Sequence, residues 1–165
     1  MEKSSPDSKN LETVGYVDLS NYVGLWYEIA KIPNKFQRKC DKNTTAFYSL
    51  NQNGDIVVVN SCVTSSGERI EVKGLARVVD KNTNAKLKVS FFNFLGINLF
   101  WGDYWIIGLS HDYNWAVVGT PGRKYGWILS RHPSLDEQTL GKVKNLLREK
   151  GYNPEDFQMT SQLWP

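Results

Sequence analysis

Imidazole titrates near neutral pH, so His111 and His132 are the groups in this chain best suited to move a proton. Acid–base or nucleophilic catalysis also needs a second group within reach, a nucleophile beside its base or a base held by an orienting partner. The sequence offers no serine elbow, no phosphate-cradling glycine loop and no paired metal-ligand spacing, so neither a metal nor a cofactor is expected. Both histidines fall in predicted turns, and neither Cys40 nor Cys62 has a histidine-rich neighbourhood. The reading is a protein without catalytic function. The two cysteines lie 22 positions apart, and their even number supports one disulfide in an oxidising compartment, with two unpaired thiols as the other reading. Trp26 opens the first strand-like run and Arg131 closes the last, a placement from which a guanidinium can stack on an indole face and seal the floor of a small barrel.

The elements that must position these residues read as β-strands. Runs at 26–32, 44–50, 56–62, 69–79, 85–91, 103–110, 115–120 and 125–130 are rich in aromatic and β-branched side chains. Turn formers separate them, such as Asn51-Gln52-Asn53-Gly54-Asp55, Asp80-Lys81-Asn82-Thr83-Asn84 and Pro121-Gly122. Eight short strands at even spacing mean an all-β barrel or sandwich whose neighbours pair as antiparallel hairpins. After Arg131 the period changes. Leu140, Val143, Leu146 and Leu147 form one stripe of a helix over 135–150, with Ser134 and Glu137 as a capping box and Gly151 as the stop. The apolar stripe has only the outer wall of the sheet to dock on, and a short ninth strand is expected near 157–160.

With 165 residues, the chain fits a single domain over 14–165 behind a polar leader at 1–13. Twenty Lys plus Arg against 17 Asp plus Glu leave a nearly balanced surface, which excludes nucleic acid as a partner. Only Lys35, Arg38, Lys39 and Lys42 cluster, in one predicted loop that reads first as solvated. No apolar run is long enough for a transmembrane helix. The sequon at Asn43-Thr44-Thr45 is expected to stay bare.

Gly24-Leu25-Trp26-Tyr27, Asp112-Tyr113 followed by Trp115-Ala116-Val117-Val118, and Trp127-Ile128-Leu129-Ser130-Arg131-His132-Pro133, in this order, resemble the lipocalin family. Trp26-Tyr27-Glu28-Ile29-Ala30, Leu87-Lys88-Val89-Ser90-Phe91-Phe92 and Gly102-Asp103-Tyr104-Trp105 are similar to its bacterial outer-membrane lipocalin and apolipoprotein D branch. The likeness runs from about Val17 to about Gln162. It implies an eight-stranded antiparallel up-and-down barrel, a calyx, with one C-terminal helix packed outside. It also implies non-catalytic binding, transport or storage of a small hydrophobic ligand, a fatty acid or lysophospholipid. A lipid-acting enzyme of the same fold, or a binder of haem or a pigment, is the alternative.

If the strand register follows the family, the inward and ligand-lining residues are Ala46, Tyr48, Val58, Asn60, Val72, Gly74, Ala76, Val89, Phe91, Tyr104, Ile106, Val118, Tyr125 and Trp127. Ala46, Gly74 and Ala76 are expected to leave space among larger neighbours. Trp26 and Arg131 then form a structural floor, with both histidines at the closed end. Lys35, Arg38 or Lys39 near the mouth could meet a carboxylate or phosphate. The uncharged run 91–101 falls at the open end, where it is expected to touch a membrane surface or a second copy in a homodimer, or to fold over its own barrel. The chain opens on Met1-Glu2-Lys3-Ser4-Ser5-Pro6 without an export signal. The relatives nonetheless imply the bacterial periplasm or outer membrane, with lipid anchoring left open.

Overall fold

The computed structural model describes residues 10–91 and 102–165. A short helix α1 (Leu19–Tyr22) leads into β1 (Gly24–Lys31), β2 (Lys42–Leu50), β3 (Ile56–Val63), β4 (Arg69–Val78), β5 (Lys86–Phe91), β6 (Gly102–Leu109), β7 (Trp115–Gly119) and β8 (Gly126–Ser130). Helix α2 (Glu137–Glu149) and a two-residue β9 (Gln158–Met159) follow. All eight predicted strands form, and no end is displaced by more than two residues. From β1 to β8 each strand pairs antiparallel with the next, β1 also pairs with β8, and β9 adds to β1, so the sheet closes into a barrel and is not an open sandwich.

Alternation sorts the side chains into two cores. Trp26, Tyr48, Val58, Ile106, Val118 and Leu129 pack inside the barrel, while Ile29, Ile107, Val117 and Ile128 face outward against Val143 and Leu147 of α2. A 13-residue helix is marginal in isolation. Burying Val143 and Leu147 completely contributes about 1.5–3 kcal/mol each, and this docking is what holds the helix. Its start differs from expectation: Asp136 is the N-cap and accepts from the Thr139 amide, so the Ser134–Glu137 box does not form. Asp136 and Thr139 offer the same spacing two residues later, with a carboxylate as the cap acceptor. Packing also begins earlier than composition suggests, because Leu11 is buried in the outer core and the Val14 amide donates to the Ile106 carbonyl.

One expected gap is filled. A Cβ on Gly74 would lie 2.7 Å from the Ser90 carbonyl oxygen and 2.8 Å from the Phe91 ring, so the ring occupies the space that the absent side chain leaves. Gly74 therefore permits the close approach of β4 to Phe91 and does not enlarge the lumen. Gly74→Val is expected to cost about 1–3 kcal/mol in a urea melt, the usual cost of overpacking. An unchanged midpoint would show that β5 gives way freely.

Candidate functional site

The inward face is set by register. Across the barrel wall Tyr48 pairs with Val58, Val58 with Gly74, and Gly74 with Phe91; one step along, Ala46 pairs with Asn60 and Asn60 with Val72. Ala76 lies between Ile56 and Val89, Tyr104 opposite Leu87, and Val118 between Ile106 and Trp127. Tyr125 lies two residues before Trp127 in the β7–β8 loop, its ring stacked on the indole at 6.2 Å. The expected lining set thus shares one face of the sheet. It is not uniform in depth. Ile106, Val118, Val58 and Ala76 are fully enclosed, whereas Asn60, Val89, Phe91, Tyr104 and Trp127 are half-buried. Val72 is 44% exposed.

Arg131 closes one end. Its guanidinium lies 3.8 Å from the centre of the Trp26 ring and donates to the carbonyls of Asn21, Tyr22, Val23, Leu25 and Tyr113. The Trp26 indole N–H donates to the Tyr22 carbonyl. Tyr113 has a left-handed backbone, φ 60°, and its hydroxyl accepts from the Asp18 amide. A tyrosine in that region is held there by surrounding contacts, and here they come from Arg131, the Asp18 amide and the Ser110 carbonyl.

Directly above the indole, three phenols meet. The Tyr104 hydroxyl lies 2.7 Å from that of Tyr22 and 2.9 Å from that of Tyr48. Burial pushes the Tyr48 phenol up to about 12, and it raises Tyr22 and Tyr104 well above the usual phenol range. All three stay protonated at physiological pH. Tyr22 was not among the expected lining residues, since it lies in a four-residue helix with no strand period to reveal it.

At the open end β1 and β2 diverge, and the chain's C-terminal segment fills the gap. Thr160 donates its amide to the Ile29 carbonyl, Asn43 donates to Ser161, and the Gln162 side-chain amide donates to the carbonyls of both Glu28 and Thr44. Asn43 also exchanges side-chain hydrogen bonds with the Leu163 backbone, which ties the sequon residue into this seam. Glu28, 2% exposed, accepts from Thr160 Oγ1 at 2.6 Å and from Gln37 Nε2 at 2.9 Å, and Trp127 Nε1 donates to Gln37 Oε1. These charge-assisted bonds offset the cost of enclosing the carboxylate. They anchor the β1–β2 loop, whose other end is tied by the Cys40–Cys62 disulfide to β3. Glu28, Gln37 and Gln162 were missed because their partners are remote in sequence. Lys35, Arg38 and Lys39 are exposed on this loop at the mouth.

His111 and His132 are exposed at the closed end, beside a shallow cleft with Asp112 and Asp136 and away from the lumen. Among the described residues no group of three metal-ligating side chains forms. Apart from Phe91, the apolar run 91–101 lies outside the described residues.

Known proteins bear this architecture. Residues 17–162 match the family model of the lipocalin-like domain. The chain is 39% identical over 159 residues to temperature-induced lipocalin-1 of Arabidopsis thaliana, covering 94% of this chain and 85% of that protein. It is 34% identical over 156 residues to the outer membrane lipoprotein Blc of Escherichia coli K12, covering 93% and 85%. It is 33% identical over 153 residues to mouse apolipoprotein D, covering 88% and 77%. A closed eight-stranded barrel with one outer helix, floored by an arginine on a tryptophan and matched over nearly its whole length, makes this chain a member of the lipocalin family.

Proposed function

We propose that this protein binds one hydrophobic ligand of the fatty-acid or lysophospholipid class in its lumen, for transport or storage and without catalysis. The observation that carries the reading is the inward face itself: apolar, sealed below by Trp26 and Arg131, and progressively more exposed toward Asn60, Trp127 and Val72. Burying ten methylenes would contribute about 8 kcal/mol toward holding the tail, from which the costs of association are subtracted. Lys35, Arg38 and Lys39 stand where an acidic head would emerge. Asn60, Val89, Phe91, Tyr104 and Trp127, the half-buried part of the inward face, are the wall such a chain would touch. Contact of the open end with a membrane surface or a second copy belongs to the same proposal, supported by the uncharged run 91–101.

An envelope location is also proposed. It is supported by the name of the E. coli relative and by the disulfide, since such bonds persist in oxidising compartments. Titration with a fluorescent fatty acid and a fluorescent lysophospholipid, read by quenching of tryptophan emission, tests the binding claim. A saturable one-to-one signal at micromolar concentration or below is expected. A linear, non-saturating response would overturn it.

A further inference from the structure

Three phenols in a row carry three hydroxyl hydrogens, but Tyr22–Tyr104–Tyr48 has only two hydroxyl contacts. Whichever way each bond is directed, two hydrogens are used and one is left. The remaining interactions of these side chains are ring contacts: Tyr22 with Trp26 at 5.2 Å, Tyr22 with Tyr48 at 5.8 Å and Tyr48 with Tyr104 at 6.0 Å. No acceptor among the described residues takes the third hydrogen. Tyr22 and Tyr48 are 2% and 6% exposed, and Tyr104, half-buried, lies on the inward face of the barrel. An enclosed donor left unbonded is unfavourable, and a bound acceptor satisfies it.

We infer that the base of the lumen is a subsite for a neutral oxygen acceptor, a carbonyl on the leading end of an apolar ligand, which takes the surplus phenolic hydrogen of the Tyr22–Tyr104–Tyr48 cluster. This rests on the lumen being the ligand site. A carboxylate is the poorer occupant. Enclosure, the main force raising all three phenols, would act equally against an anionic head. Two ligand orientations follow: an acid keeps its head at the mouth and sends its tail down, whereas a ketone enters oxygen first. The polar feature at the base thus selects among hydrophobic molecules that the apolar wall would hold alike.

The test uses 2-acetylnaphthalene and 2-ethylnaphthalene, similar in shape and differing in the carbonyl oxygen. Each is titrated into the wild type and into the Tyr22→Phe/Tyr48→Phe/Tyr104→Phe variant. The ratio of the two affinities, compared between proteins, cancels the difference in hydration of the probes. Removing all three hydroxyls is expected to lower the acetyl-over-ethyl ratio about 3- to 12-fold, the range of one hydrogen bond. In the wild type, the infrared carbonyl stretch of bound 2-acetylnaphthalene is expected at lower frequency than in hexane, a measurement that needs no variant. An equal ratio in both proteins, or a hexane-like stretch, overturns the subsite while leaving the lumen as binding site. Failure of both probes to saturate the wild type overturns both claims.

Discussion

Arg131→Ala is expected to lower stability by about 3 kcal/mol, a fall of roughly 6–12 °C in melting temperature, while ligand affinity stays close to wild type. The guanidinium donates to five backbone carbonyls drawn from the α1–β1 segment and the β6–β7 turn, and it covers the Trp26 ring. Alanine removes every donor at once, and those carbonyls then depend on water that must enter under the barrel. Each lost bond is worth about 1 kcal/mol and the cation–π contact about as much, with partial recovery through solvent. The ligand side is spared because Trp26, Tyr22 and Tyr48 separate the guanidinium from the lumen. Arg131→Lys should recover less than half, since an ammonium presents a point charge and cannot keep five planar donations while stacking. A paired melt and titration decides the matter. Lost affinity with an unchanged melt would move Arg131 from the floor to the binding site.

That floor was legible because its two halves carry rare side chains in distinctive settings. A tryptophan after glycine at a strand start and an arginine after a strand's last apolar residues are local signals, and closure brings them together. The inward rows were legible for a different reason. Antiparallel hairpins with tight turns keep parity from strand to strand, so one correct register, taken from the family likeness, propagates around the wall. Parity fails where the ladder shifts, between Glu28 and Ala30 and between Ile106 and Gly108. After the second shift Leu109 turns toward the inner core although Ile107 faces α2, and nothing in the residue types announces it. The polar seam was illegible on stronger grounds. Glu28 is separated from Thr160 by 132 positions and Gln162 from Thr44 by 118, and no local period encodes such a meeting. Four residues of α1 are likewise too few to show a helical repeat; the Asp18 cap and the burial of Tyr22 fix them.

Opening the Cys40–Cys62 bond is expected to cost about 3 kcal/mol, because two residues 22 positions apart regain the freedom that the bridge denies the unfolded chain. The cleaner comparison is oxidised against reduced wild type. Cys62 is buried, and a serine there would add the cost of enclosing a hydroxyl to the effect of losing the bridge. Cys40→Ala/Cys62→Ala avoids that cost and should match the reduced protein in a urea melt. A second consequence is local. The loop between β1 and β2 is held at Gln37 by Glu28 and Trp127, at Phe36 by the Tyr125 ring, and at Cys40 and Asp41 by β3, so reduction removes its one covalent tether to β3. Loop freedom at the mouth should then speed ligand escape several-fold in a stopped-flow displacement, with the association rate little changed, since affinity differences among related complexes arise mostly in dissociation. A stability loss with an unaltered dissociation rate would mean that the non-covalent contacts hold the loop without the bridge. An unaltered melt would mean that the unfolded chain already keeps the two sulfurs close.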